Sequence, residues 1–176
     1  MMKFLSSLMF CMFLLQGLAQ DEAENKFGRH EVKLNLVNLI ILENVELNYE
    51  YIAGEDFTVG LAANYWWEES SEFNFILFPN VRFYPSQEEA GTGFFTELSI
   101  PIFGYEDEDE CFLSNNFFTC STENKVGIGV GVAAGYKLLS QKGFIGELFV
   151  GIGRSFNDEV RIDFIPRLGV TFGKRF

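Results

Sequence analysis

The chain has 176 residues and a formal net charge of -12, enough length for one domain built around either a full core or a closed barrel. That acidic balance, with no clustered Lys and Arg, excludes nucleic acid as a partner, because binding phosphates needs a basic face. No segment past residue 20 has the length and apolarity of a spanning helix, so any membrane crossing must be made by strands.

Residues 1–19 carry one lysine, an apolar run from Phe4 to Leu15, and small residues at Gly17 and Ala19 ahead of an acidic DEAE. This predicts a secretory signal cut after Ala19; the run is shorter than the ~20 apolar residues a spanning helix requires. Lipid attachment at Cys11 is disfavoured by the bulky Phe10 before it. Two cysteines remain, Cys111 and Cys120, and an exported chain meets an oxidising compartment, so a disulfide between them is expected.

From His30 onward, two-residue alternation recurs in eight segments separated by polar or glycine-containing turns, the pattern of an all-β meander. HEVKLNLVNLI sets Val32, Leu34 and Leu36 against Lys33 and Asn35. VELNYEY sets Val45, Leu47, Tyr49 and Tyr51 against Glu46, Asn48 and Glu50. FTVGLAANYWW places Val59, Leu61, Ala63, Tyr65 and Trp67 on one side. In FNFILFPNVRFY, Phe73, Phe75, Leu77, Val81 and Phe83 oppose Asn74, Asn80, Arg82 and Tyr84, with Ile76 and Phe78 blurring the polar side. GFFTELSIPIF opposes Phe94, Leu98, Ile100 and Ile102 to Glu97 and Ser99. KVGIGVGVAAGYKL opposes Val126 through Leu138 to Lys125, four glycines, Ala133 and Lys137. GFIGELFVGIG opposes Phe144, Leu148, Val150 and Ile152 to Glu147, Gly151 and Gly153. RIDFIPRLGVTFGKRF alternates Ile162, Phe164, Leu168, Val170, Phe172 and Phe176 with Arg161, Asp163, Arg167, Thr171 and Arg175.

The non-apolar face carries both signs of charge: Lys33, Arg82, Lys137 and Arg167 with Glu46, Glu50, Glu97, Glu147 and Asp163. In a barrel of about eight strands the interior just holds side chains. This predicts a charge-paired lumen with the apolar face turned out to outer-membrane lipid. A soluble lipocalin-like barrel or a two-layer sandwich would invert the faces. Against that alternative stand aromatics at the ends of the apolar rows (Tyr49, Tyr51, Tyr65, Trp67, Phe83, Tyr136, Phe144, Phe172), as interface girdles require. The connections also alternate: short near Ala53, Pro85 and Leu139, with the longest, residues 106–124, on the opposite end. The expected organisation is a signal at 1–19, a periplasmic segment at 20–29, and an eight-stranded antiparallel up-and-down transmembrane β-barrel over 30–176, in the cell outer membrane. Pro79, Pro101 and Pro166 fall within strands, where each removes a ladder donor, so bulges or displaced strand ends are expected there.

The segments HEVKLNLVNLI, VELNYEYI, FTVGLAANY, NVRFYP, GFFTELSI, VGIGVGVAAGYK, KGFIGELFVGIGR and RLGVTFGKRF together resemble the small outer-membrane β-barrel proteins of Bacteroidota, the outer membrane protein beta-barrel domain family. The resemblance spans about Arg29 to Phe176 and lies in pattern rather than in a catalytic motif. It implies an eight-stranded barrel, and a terminal aromatic, matched by Phe176, that the barrel-assembly machinery reads.

No HExxH, CxxC or P-loop pattern is present, and no cofactor or metal is expected. His30 with Ser99 or Ser155 is a conceivable nucleophile pair for lipid modification, but spacing identifies no triad. The run Glu106, Asp107, Glu108, Asp109, Glu110 lacks the spaced ligands and glycine of a calcium loop and reads as a solvated tip. With Phe112, Phe117 and Phe118 between the two cysteines, it forms the candidate interaction loop for an extracellular ligand or protein. The expected role is therefore structural or surface-interacting, without catalysis; the alternatives are a narrow pore for small solutes or a lipid-modifying enzyme.

Overall fold

In the computed structural model the described residues are 28–66, 73–86, 89–108, 112–114, 117–119, 122–156 and 164–176. They form β1 (His30–Asn35), α1 (Leu36–Ile40), β2 (Asn44–Ile52), β3 (Phe57–Trp66), β4 (Phe73–Ser86), β5 (Gly93–Ser99), β6 (Ile102–Glu108), β7 (Phe112–Ser114), β8 (Phe117–Thr119), β9 (Thr122–Leu139), β10 (Phe144–Ser155) and β11 (Phe164–Arg175). Every ladder is antiparallel. β1 to β5 pair in sequence, β5 and β6 both pair with β9, β9 pairs with β10 and β10 with β11, and β11 returns to β1, so the sheet closes on itself. Closure leaves no free sheet edge along the wall except where β1 ends early.

The barrel has eight staves because β5 and β6 are one stave interrupted. Both pair with β4 on one side and β9 on the other. Asn80 faces Ser99 and Leu77 faces Ile102, three residues on along each strand, so the register passes through the break unchanged. Pro79 and Pro101 sit at that break, and neither has an N–H to donate. Their carbonyls still accept, from Ile100 at 3.0 Å and Gly129 at 2.9 Å. The prolines thus interrupt the ladder without a bulge; the irregularities in β4 lie elsewhere, between Phe83 and Ser86 and between Phe73 and Phe75.

Pro166 breaks nothing. Leu168, two residues on, turns its carbonyl to the β1 side, where Asn35 Nδ2 reaches it at 3.2 Å. By period two, the missing donor of Pro166 also points to that side. There β1 has already ended, its last partner on β11 being Thr171. No ladder bond is lost and no bulge forms; of the two expected outcomes, a bulge or a displaced strand end, it is the early end of β1 that accommodates the proline.

The first segment also differs from its expected form. Alternation stops at Asn35, whose side chain accepts from Val37 N–H at 3.1 Å and caps the one-turn helix α1. The apolar run Leu36, Val37, Leu39, Ile40, Ile41 no longer has period two, and that break is the sequence signal for the change.

Sidedness follows the alternation. On β9, Val126 and Leu138 are 65% and 63% exposed, while Lys137 is 1% exposed. Leu98, Leu148, Val150, Leu168 and Val170 continue this exposed apolar belt around the wall. Tyr49, Tyr51, Phe83, Tyr136 and Phe172 cluster toward the end of the barrel that carries the short turns, and Phe57 packs on Phe83 with ring centroids 5.0 Å apart. Among these short turns, 140–143 is closed by Ser140 N–H on the Phe144 carbonyl at 2.8 Å, and Gly143 there has φ 80, a conformation open to glycine without penalty.

Candidate functional site in the barrel interior

Strand alternation brings ten ionisable side chains inward and buries them: Lys33, Arg82, Lys137, Arg167 and Arg175, with Glu31, Glu46, Glu50, Glu97 and Glu147. Five cations face five carboxylates, so the buried set is neutral among the described residues. Neutrality matters because an unpaired ion away from water is expensive, whereas ions with several charge-assisted partners are not.

Glu50 on β2 is the hub. Its Oε2 accepts from Lys33 Nζ at 2.5 Å and Arg82 Nη1 at 2.8 Å, and its Oε1 from Lys137 Nζ at 2.6 Å and Tyr84 Oη at 2.9 Å. Glu147 on β10 accepts from Lys33 and Arg82, both at 2.8 Å. Arg82 therefore joins three carboxylates, its Nε donating to Glu97 at 2.8 Å. Arg82 with Glu97 and Lys137 with Glu147 are direct cross-strand neighbours. The contacts of Glu50 with Arg82 and Lys137, by contrast, cross the lumen between non-adjacent staves.

Toward the short-turn end, Glu31 accepts from Lys137 at 2.8 Å and from Arg175 Nη2 at 2.6 Å. Toward the other end, Arg167 Nη1 donates to Glu97, and Glu46 accepts from the amides of Asn35, Asn38 and Asn48 at 3.1, 2.7 and 3.1 Å. Glu31 and Arg175 belong to this network although charge listing along the chain overlooked them as partners. Both are inward-facing by period two, which was the available signal. Asp163 lies outside the described residues.

The interior is also more aromatic than the charged positions suggest. Phe95 carries the Arg82 guanidinium 4.4 Å above its ring, and Phe78 and Phe149 carry that of Arg167 at 4.2 and 5.1 Å. Inward glycines make room for these rings: a Cβ on Gly169 would stand 2.0 Å from Phe149, and one on Gly127 2.3 Å from Phe103.

The other sequence-selected residues are dispersed. His30 sits at the rim, its Nδ1 2.7 Å from Tyr49 Oη and its ring stacked on Phe176 at 6.2 Å. Ser99 lies mid-wall between Asn80 and Gly131, so strand register does not bring it to His30. Phe176 and His30 exchange two backbone hydrogen bonds, of 2.9 and 3.1 Å, that close the β1–β11 seam. In the long connection, Glu106, Asp107 and Glu108 extend the β6–β9 ladder opposite Asn124, Glu123 and Thr122, while Phe112 on β7 and Phe117 and Phe118 on β8 belong to a small hairpin. Much of that connection is thus ribbon rather than irregular loop. Cys111, Cys120, Asp109 and Glu110, like the signal segment, lie outside the described residues. Among the described residues no group of three or more His, Cys, Asp and Glu is arranged to hold a metal ion.

The family model described as "Protein of unknown function (DUF3575)" matches residues 6–166. No curated protein matches the sequence. Among solved structures, the chain is similar to the N-terminal beta-barrel domain of Pseudomonas aeruginosa OprF, with a TM-score of 0.57 and 9% identity, covering 86% of this chain and 100% of that one. At that identity the likeness is one of fold.

Proposed function

We propose that this chain, which belongs to the DUF3575 family, is an outer-membrane barrel whose lumen is closed by its own ion pairs and whose long connections form a surface for extracellular partners. One observation carries the reading: apolar side chains face out around the wall while ten neutralised charges face in. A soluble barrel has the opposite arrangement, because its exposed face must be polar. Nine to twelve residues in β2, β3, β10 and β11 match what a tilted strand needs to cross a bilayer, about 9–11.

A closed lumen favours structure and surface binding over conduction. Arg82, Glu50, Lys33 and Glu147 meet at 2.5 to 2.8 Å across the middle of the barrel, with Phe95, Phe149 and Tyr84 packed beside them. An ion passing through would have to separate these pairs. The finer assignment to barrels of Bacteroidota, export by the N-terminal signal, recognition of Phe176 by the assembly machinery, and interaction through residues 106–124 rest on the sequence motifs.

The test combines localisation and conductance. The mature chain should fractionate with the outer membrane, migrate differently before and after boiling, and give no large single-channel steps in planar bilayers. Recovery as a soluble periplasmic monomer would refute membrane residence; stable large conductance from a folded barrel would refute the closed lumen.

A further inference from the structure

One glycine leaves a notch in the outer belt. Gly146 on β10 lies between Ile145 and Glu147, both buried, so by period two it faces outward. Its direct neighbours across the ladders are Leu138 on β9 and Phe172 on β11, both exposed on the outer face. A Cβ on Gly146 would meet nothing within 4 Å. Another outward glycine, Gly104, differs: its cross-strand neighbour Phe75 covers it, with a ring atom 2.6 Å from where the Cβ would stand. The belt at Gly146 therefore has a gap one side chain wide, walled by Leu138 and Phe172.

Phe172 also lines an open groove of about 580 Å³ at the short-turn end, together with Ser140, Gln141, Lys142 and Phe144. The Phe144 and Phe172 rings stack, with centroids 5.8 Å apart and planes 17° apart, and form its apolar side. Its polar side is the turn between β9 and β10. That turn is tied down: Gly143 N–H donates to the Ser140 carbonyl at 3.0 Å, and Arg175 N–H at the end of β11 donates to the Gly143 carbonyl at 2.8 Å. Ser140 Oγ accepts from Phe144 N–H at 3.0 Å and keeps its own proton to donate. Lys142 is exposed at the tip, and Lys174, directly opposite Phe144 on β11, holds its Nζ 5.9 Å from that ring's centroid.

Charge selects the occupant. The chain carries -12, yet Lys142, Lys174 and Arg29, the ionised side chains on the outer side of this part of the rim, are all positive. The described side-chain carboxylates of the short-turn end lie elsewhere: Glu31 is buried inside, Glu55 and Asp56 belong to the turn between β2 and β3, and Glu89 is 3.8 Å from the inward Arg175. A cationic, donor-bearing rim above an apolar notch complements a molecule with an anionic head and a hydrocarbon tail. A free phosphate would use the lysines and leave the notch empty. In a membrane barrel, the aromatic girdle marks the level of the lipid head groups, and Phe172 and Tyr136 stand at that level here.

We propose that this face of β9, β10 and β11 holds one anionic glycerophospholipid. The phosphate accepts from Lys142 Nζ and Ser140 Oγ, with Lys174 adding positive charge beside it. One acyl chain runs over the Phe144 and Phe172 rings into the notch at Gly146, and the other stays in the bilayer. The assignment rests on the outer-membrane reading above.

Native mass spectrometry of the folded mature chain, released from detergent micelles that contain equal amounts of phosphatidylglycerol and phosphatidylcholine, tests the site. A single phosphatidylglycerol should remain bound, saturably, and exceed phosphatidylcholine by about fivefold or more. Lys142→Gln should lower that preference by about fivefold. Gly146→Leu fills the notch without a clash, and should lower retention of both lipids by about tenfold while the unboiled band stays folded. Equal retention of the two lipids, adducts that multiply without saturating, an unchanged preference in K142Q, or unchanged retention in G146L overturns the site and leaves the barrel standing. A chain that gives no heat-modifiable folded band overturns the membrane reading and the site with it.

Discussion

Replacing Glu50 by Gln tests the interior at its most connected point. The side chain keeps its shape, but one of its two acceptor oxygens becomes an NH2 group that faces other donors, Lys33 and Arg82 if it replaces Oε2, Lys137 and Tyr84 if it replaces Oε1. Four buried carboxylates would then face five buried cations. Breaking a buried, hydrogen-bonded ion pair by removing one partner costs about 3–5 kcal/mol, because the remaining charge is left uncompensated. Glu89→Gln is the matched control: its carboxylate is 3.8 Å from Arg175 with a side chain 52% exposed, and such a pair is worth about 0–1 kcal/mol. Reversible urea unfolding of the barrel in lipid vesicles, followed by tryptophan fluorescence, measures both. The double variant E50Q/K137M restores equal numbers of buried charges and should be more stable than E50Q alone. If E50Q loses no more than E89Q, or if K137M merely adds its own loss to that of E50Q, the interior is not held by coupled charges and the account is wrong.

Gly169→Ala should destabilise by about 1–3 kcal/mol through overpacking, since its Cβ would collide with the Phe149 ring. Gly54→Ala, with nothing within 4 Å of the new carbon, should be near neutral in the same unfolding assay; equal losses would deny that inward glycines accommodate the rings. Deleting Phe176 should lower the yield of folded barrel and remove two seam hydrogen bonds worth about 0.5–1.5 kcal/mol each, whereas F176A keeps the backbone bonds and isolates the aromatic ring's part in assembly. Cys111 and Cys120 should be joined in the exported protein and resist alkylation until reduced; free alkylation without reductant would remove the bridge. Exchanging residues 109–121 for a short turn should leave the heat-modifiable band intact, and loss of folding would make that segment structural.

The stave count and the facing of the wall are local properties. Each strand residue lies opposite in face to its neighbours, so Val126 through Leu138 and Leu148 through Ile152 declare their side without knowledge of any partner strand. The end of β1 also has a local mark, Val37 falling on the polar side behind the capping Asn35, although alternation through Leu36 reads as a longer strand. Adjacent pairs such as Lys137 with Glu147 depend on register, but register there follows from the short turn 140–143 joining β9 and β10. The contacts of Glu50 with Arg82 and Lys137 follow from neither, because those side chains meet across the lumen at a height set by how far each stave is staggered around the closed barrel. Stagger belongs to the whole sheet and leaves no mark in any one segment. The same holds for Glu31 joining Lys137, whereas Glu31 and Arg175 lie directly opposite on β1 and β11, a pairing that exists only because the barrel closes. The alternation in the chain therefore specifies which side chains enter the interior; closure of the barrel decides which of them touch.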